Sequence, residues 1–216
     1  MEEIIFVDKP AGMTSFGAVA RVRRILSERA GKKVKVGHTG TLDPFASGLL
    51  ILLADKATKQ AMAFSKLDKV YEATMQLGAT SSTGDPEGEI TVVTPEVNYS
   101  KAQIELCLRQ FVGKISQRPP IFSAIKINGQ RAYRLARAGK EPEMPSRTVE
   151  VFTLELLDYR PPYLSFRAHV SSGTYIRSLV EDIGKSLGCG AYTTALRRTK
   201  IADYDIAQVK LFNLPD

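Results

Sequence analysis

Leu164-Ser165-Phe166-Arg167-Ala168-His169-Val170 and, after five intervening residues, Ile176-Arg177-Ser178-Leu179-Val180-Glu181-Asp182-Ile183-Gly184-Lys185-Ser186-Leu187-Gly188 set the fold class. In the first run apolar and polar residues alternate with period two, the pattern of a half-buried strand. In the second, Ile176, Leu179, Val180, Ile183 and Leu187 recur at helical spacing, and Gly188 supplies a helix stop. Working outward, Lys69 to Leu77 alternates like another strand, and Thr80 to Gly88 is turn-rich. Ser100 starts a helix carrying Ile104, Leu106, Leu108 and Phe111. Ile4 to Val7 reads as a strand closed by Asp8-Lys9-Pro10-Ala11-Gly12. Thr14 then caps a helix with Phe16, Val19, Val22, Ile25 and Leu26 on one face and Arg21, Arg23 and Arg24 around the other. After the polar turn Gly31-Lys32-Lys33 come Val34 to Val36, a loop from Gly37 to Ser47, and an apolar run from Leu49 to Ala54, the type buried on both faces. Strands and helices mix without strict βαβ alternation, with no internal repeat and no long linker. The expectation is an α+β fold.

The chain has 216 residues, 44% hydrophobic and 25% charged, which is enough to bury a core and rules out collagen-like or disordered composition. Cys107 and Cys189 are far apart, and His38 and His169 are the two histidines, so a zinc site would need an unusual ligand set. Free thiols in a reducing, cytoplasmic setting are the simplest reading. No apolar stretch approaches the length of a membrane span, and the run after the acidic Met1-Glu2-Glu3 is too short for a signal peptide.

Thirty Lys and Arg against 23 Asp and Glu leave a net charge of +7. Its distribution says more than its total. Residues 114–147 hold Lys114, Arg118, Lys126, Arg131, Arg134, Arg137, Lys140 and Arg147 against Glu141 and Glu143, eight to two and so +6. Pro119-Pro120 and Asn128-Gly129 mark turns, so this segment is expected to project from the body. Arg131, Arg134 and Arg137, three residues apart, can form a ridge on a short helix. A solvated charged face and a clamp on a phosphate backbone both fit the pattern.

The chemistry is expected in Gly37-His38-Thr39-Gly40-Thr41-Leu42-Asp43-Pro44-Phe45-Ala46-Ser47-Gly48. Glycines and a proline surround one His and one Asp between apolar strands, which makes a rigid loop that sets polar groups at a sheet edge. Asp before Pro is also a common turn element, and a lone His is often structural.

This loop resembles the nucleophile motif of the TruB family of pseudouridine synthases. The likeness continues in Asp8-Lys9-Pro10-Ala11-Gly12-Met13-Thr14-Ser15, in Lys69-Val70-Tyr71-Glu72-Ala73 and in Pro119-Pro120 through Ser123-Ala124-Ile125-Lys126. It resumes in Ser172-Gly173-Thr174-Tyr175-Ile176-Arg177-Ser178-Leu179 and in Leu196-Arg197-Arg198-Thr199. The blocks stand in the family's order across residues 4 to 211. Two departures accompany them. The family's usual C-terminal RNA-binding domain of the PUA type is not expected here, and its usual glycine after the Arg-Arg-Thr triplet is Ala202.

The resemblance implies one catalytic domain over residues 1–216, with a largely antiparallel mixed sheet flanked by helices and 114–147 as a thumb-like insertion. It implies isomerisation of uridine at position 55 in the T-loop of tRNA, with Asp43 as nucleophile, Arg177 paired to it, and Tyr71 stacked on the target base. Tyr175 and Leu196 would line the pocket and His38 would fill the space the base vacates. Lys59 and Lys35 would hold phosphates, as would Arg131, Arg134 and Arg137 on the thumb. No metal or cofactor is implied; tRNA is the partner and a monomer the expected state. Asp85 and Glu87 read as turn residues, and His169, on the outward phase of its strand, carries no assignment. Two other readings stand beside this one: a non-catalytic RNA-binding or tRNA-folding module, which would share the basic thumb, and a guide-RNA-dependent synthase acting on ribosomal RNA, a branch that relies on the appended RNA-binding domain to hold its guide.

Overall fold

The computed structural model describes residues 2–123, 125–127, 129–139 and 142–214, with the backbone alone described at 2, 126, 131, 133, 134 and 137. In chain order it runs β1 (Glu2–Lys9), α1 (Ser15–Ala30), β2 (Val36–His38), β3 (Ser47–Asp55), a 3-10 turn (Lys56–Gln60), α2 (Ala61–Ser65), β4 (Lys69–Leu77), β5 (Ala79–Ser81) and β6 (Ile90–Val92). It continues through α3 (Lys101–Arg109), β7 (Gly113–Gln117), β8 (Lys126–Ile127), β9 (Gln130–Arg131), α4 (Ala132–Arg137), β10 (Arg147–Arg160), β11 (Tyr163–Val170), α5 (Ile176–Leu187), β12 (Ala191–Ile201) and β13 (Tyr204–Asp205). This is the expected mixture of helices and a mostly antiparallel sheet. Among the described residues no helix is long and apolar enough to cross a membrane.

The chain forms two compact units, one of residues 1–72 and 195–216 and the other of residues 73–194, with β4 and β12 contributing residues to each. In the first, β3 lies between β1 (antiparallel, Glu2↔Asp55 to Lys9↔Gly48) and β12 (parallel at Arg197↔Ser47 and Arg198↔Gly48), and β2 also pairs with β3. The apolar run explains why β3 is central: Leu49 to Ala54 are fully buried, with no exposed phase to meet water. Leu49, Ile51, Leu53, Ala57, Phe64 and Ile201 form a core against which Phe6 and Tyr204 pack. Helix α1 starts where its cap predicts, with the Gly17 N–H donating to the Thr14 hydroxyl at 2.9 Å, and ends at Gly31 in the left-handed region.

In the second unit β4, β11, β10 and β7 follow in order, with β10 antiparallel to both β11 and β7. The inward phases of β4 and β11, including Met75, Leu77, Leu164 and Phe166, are buried, as are Ile104 and Leu108 of α3, which packs against β10 and α5. Ile176, Leu179, Val180 and Ile183 of α5 are buried as their stripe requires, and Gly184 lets β12 approach α5 closely. A Cβ there would lie 2.3 Å from the Ala191 nitrogen.

Three local expectations differ from the structure. Phe16 and Leu106, read as members of apolar helix faces, are 67% and 63% exposed. Each follows helical spacing from its neighbours, but burial depends on what packs opposite, which periodicity does not report. The second strand starts at Val36 rather than Val34 and takes in His38, because Val36, Gly37 and His38 find partners in Ala54, Leu53 and Leu52.

Ala202 opens the two-residue turn between β12 and β13 with φ of 45°, a region that an L side chain disfavours. Ala202→Gly is therefore expected to raise stability by about 0.5–1 kcal/mol, the relief of left-handed strain less the entropy glycine adds to the unfolded chain. A lowered urea midpoint would show that the methyl packs to advantage.

Candidate active site

The Asp43 loop is held on both sides of the aspartate. Before it, the buried Ser15 hydroxyl donates to the Leu42 carbonyl at 2.9 Å and accepts the Leu42 N–H at 2.8 Å. After it, the Pro44 carbonyl accepts the Gly12 N–H at 2.8 Å and the Lys9 ammonium at 3.3 Å. Lys9 is fully buried, and its Nζ also donates to the Pro10 carbonyl at 2.9 Å and the Met13 carbonyl at 2.6 Å. The Asp43 carbonyl accepts from Ala46 N–H at 3.1 Å, closing a turn that leaves the residue half-buried. The block Asp8 to Ser15 is thus a brace for the loop. Lys9→Met removes one donor from three carbonyls, and a loss of about 1–3 kcal/mol is expected in urea unfolding. An unchanged midpoint would mean water replaces the ammonium at no cost.

The far end of the loop is closed by β12. Gly48 has φ of 108°, and a Cβ on it would lie 2.3 Å from the Arg198 carbonyl oxygen, so glycine is required for this strand contact. Arg198 is 2% exposed; its Nε donates to the Leu49 carbonyl at 2.8 Å and its Nη2 to the Gly40 carbonyl at 3.2 Å. Arg197 grips Asp8 with both terminal nitrogens, at 3.0 and 2.7 Å, and this hydrogen-bonded carboxylate raises the guanidinium's pKa. The loop therefore ties to β1, α1, β3 and β12 within one unit. Such bracing keeps a side chain in a fixed attitude at no reorganisation cost.

The same unit contains five more of the expected residues. Tyr71 on β4 and Leu196 on β12 are each 8% exposed. His38 is half-buried at the end of β2, opposite Leu52. Two residues before Tyr71, buried Lys69 donates to the Ser65 carbonyl at 2.8 Å and to the Leu67 carbonyl, capping α2. Burial, with Arg198 adding repulsion, lowers the Lys69 pKa to about 8. Lys35 and Lys59 are exposed, and both adjoin Asp55: the Lys35 N–H donates to its Oδ1 at 3.1 Å, and Lys59 lies on the 3-10 turn that follows it.

In the other unit Arg177 is not the surface residue its helix position alone suggests. It is 3% exposed, with Nη1 3.0 Å from Oδ2 of Asp85, whose side chain is 5% exposed. Nη1 also donates to the Thr83 carbonyl at 2.7 Å, and Nη2 to the Phe122 carbonyl at 2.9 Å. Asp85 accepts the Thr83 hydroxyl at 2.6 Å and the Glu87 N–H at 3.1 Å. Sequence reasoning read Asp85 as a turn residue and missed its pairing with Arg177. Its turn-rich surroundings hid a buried ion pair whose partner lies far along the chain. Burial raises the pKa of Glu181, one helical turn from Arg177, and Arg177 opposes that rise.

Tyr175 forms the N-terminal boundary of α5, half-buried, with the Arg147 guanidinium 4.9 Å above its ring. In the basic segment 114–147 the backbone places Arg131 in β9 and Arg134 and Arg137 in α4; their side chains, and with them the expected ridge, lie outside the described residues. His169 meets Phe152 with ring centroids 4.7 Å apart and the planes tilted by 50°, a contact between β11 and β10.

Comparison with known proteins bears on what this arrangement is for. The model of the TruB family pseudouridylate synthase N-terminal domain matches residues 23–176, and that of the tRNA pseudouridylate synthase B C-terminal domain matches 177–216. A tRNA pseudouridine synthase B from Azoarcus sp. (strain BH72) is 46% identical over 96% of this chain and 67% of its own length. One from Phocaeicola vulgatus is 44% identical over 93% of this chain and 86% of its own. Among solved structures, a chain of a Cbf5-Nop10-Gar1 complex superimposes with a TM-score of 0.71 at 33% identity, and one of an H/ACA RNP bound to a substrate RNA containing 2′-deoxyuridine with 0.68 at 31%. Each alignment covers 94% of this chain, which spans about half the length of those two chains, 49% and 48%. On the matched family models and these identities, the chain belongs to the TruB family of pseudouridylate synthases.

Proposed function

We propose that this chain isomerises uridine to pseudouridine at position 55 in the T-loop of tRNA, with Asp43 as nucleophile. The observation that carries the reading is the brace on the Asp43 loop, which fixes the residues on either side of one half-buried carboxylate. Support also comes from relatives named tRNA pseudouridine synthase B.

The reaction breaks the C1′–N1 bond, turns the base and joins C5 to C1′. A carboxylate serves by attack at C1′, by promoting glycal formation, or by addition at C6 of the ring. Departing uracil is a delocalised anion and needs less protonation than a sugar alkoxide, so one Asp suffices where glycosidases use two carboxyls. The change is intramolecular and redox-neutral and calls on no cofactor.

In this reading Arg177 keeps Asp43 ionised and oriented. Tyr71 stacks on the base and helps remove the C5 proton, and Tyr175 and Leu196 line the pocket. The target must leave its stack to react, and His38 fills its place. Lys35 and Lys59 hold phosphates, as do Arg131, Arg134 and Arg137 on the thumb. The enzyme acts as a cytoplasmic monomer.

Purified chain and an unmodified tRNA transcript, with pseudouridine mapped by position, test the proposal. Product elsewhere than the T-loop would overturn the assignment. The likeness to H/ACA RNP structures favours one other reading, a guide-dependent synthase, and activity of the chain alone on tRNA excludes it. Replacing Arg131, Arg134 and Arg137 together by Gln is expected to weaken tRNA binding and flatten log Kd against log salt by about two to three units. An unchanged slope would mean these side chains face solvent.

A further inference from the structure

We infer that Gln117 and Arg147, the residues at which the basic insertion leaves and rejoins the sheet, are positioning residues that hold Tyr175 in the attitude the isomerisation needs. The inference rests on Tyr175 lining the base pocket, as proposed above.

Gln117 ends β7 and Arg147 begins β10, and the two are direct partners in the antiparallel ladder. Residues 118–146 are thus inserted between two paired positions, and each of the pair takes hold of Tyr175 by a different part. Gln117 is fully buried. Its Oε1 accepts the Tyr175 N–H at 2.8 Å and its Nε2 donates to the Tyr175 carbonyl at 2.9 Å, as a neighbouring strand would. One side chain thus bonds both main-chain polar groups of Tyr175, whose carbonyl also accepts the Leu179 N–H at 3.1 Å, and it cannot move without burying an unpaired amide.

Arg147 takes the ring. Its Cζ lies 4.9 Å above the ring centroid, and its Nη2 donates to the Gly173 carbonyl. A Cβ on Gly173 would stand 3.4–3.5 Å from Cζ, Nη1 and Nη2 alike, so the guanidinium lies flat over that glycine. Its Nε is buried without a hydrogen-bond partner among the described residues. A cation bonded to one carbonyl and set over an aromatic face is placed to orient the ring rather than to reach a phosphate. Tyr175 also leads into α5, where Arg177 follows two residues later. A shift at the Arg147 foot therefore reaches the ring directly, and one at the Gln117 foot reaches it through the Tyr175 main chain.

The full chain labelled with 3-fluorotyrosine provides the test, the Tyr175 resonance among the eight tyrosines being assigned by its loss in Tyr175→Phe. Arg147→Met should move that resonance and leave most others in place, with Arg147→Lys giving a smaller shift. At saturating tRNA, single-turnover pseudouridine formation should fall about tenfold in Arg147→Met while Kd changes less than about twofold, since misplacement by a fraction of an ångström acts on rate rather than on binding. Arg147→Lys should recover part of the loss. In a Tyr175→Leu background Arg147→Met should cost less than about twofold more, because residues acting as a unit are not additive. Gln117→Leu should repeat the rate-against-affinity pattern, and the Arg147 variants decide the question if it does not fold. An unmoved resonance, additive rate losses, or weaker tRNA binding with a flatter salt slope in an active enzyme would overturn this inference alone. No pseudouridine from wild type would remove the tRNA reading and this role together, even with the resonance shifted.

Discussion

Asp43→Asn is expected to cut pseudouridine formation by about 10⁴-fold or more while tRNA binding stays within about threefold, the mark of a group that acts in the reaction rather than in recognition. The amide copies the carboxylate's shape but offers neither its charge nor its nucleophilicity. The loop should keep its form, because its bonds run through the main chain of Leu42, Asp43 and Pro44. Single-turnover assay on an unmodified transcript, beside filter binding, separates the two quantities. Equal product from the variant would end the nucleophile assignment, and loss of binding in step with rate would assign Asp43 to recognition.

Arg177→Met is expected to lower stability by about 3–5 kcal/mol in urea unfolding, because it strands a carboxylate that water hardly reaches. Asp85 would keep the Thr83 hydroxyl and Glu87 N–H but lose its cation, and the Thr83 and Phe122 carbonyls would lose their donors. Arg177→Lys keeps the charge, but its single ammonium does not reproduce a planar fork reaching a carboxylate and two carbonyls. The double variant Arg177→Met with Asp85→Leu should regain much of the lost stability, since removing both charges costs far less than removing one. It should not regain activity if Arg177 also orients Asp43. Recovery of activity along with stability would reduce Arg177 to a structural ion pair.

Much of the fold could be read before any coordinates. The uniform apolarity of Leu49 to Ala54 foretold a strand buried on both faces, and the period-two run at 164–170 and the stripe at 176–187 foretold β11 and α5. Thr14 and Gly188 marked their helix ends for stereochemical reasons that act within a few residues. Phe16 and Leu106 escaped the same logic, since helical phase says which residues share a side but not whether a neighbour covers it. In the candidate site, the Asp43 loop stood out by composition and resemblance. The reason for its rigidity did not: Lys9 and Ser15 read as parts of a motif, and only their contacts with Pro44 and Leu42 make them a brace.

By itself the sequence determined the α+β class, the elements with a strong apolar period such as β3, β4, β11, α1 and α5, the concentration of positive charge in 114–147 and, through resemblance, the choice of Asp43 as the acid to watch. Hydrophobic period, turn chemistry and charge are local properties, and a chain carries them unfolded. Tertiary structure alone decided that Arg177 meets Asp85, that Lys9 is fully buried against carbonyls from two segments, and that Gln117 and Arg147 converge on Tyr175. Such pairings join residues far apart in the chain, and their free energy comes from excluding water around polar groups. That exclusion exists only once the sheet and helices have packed.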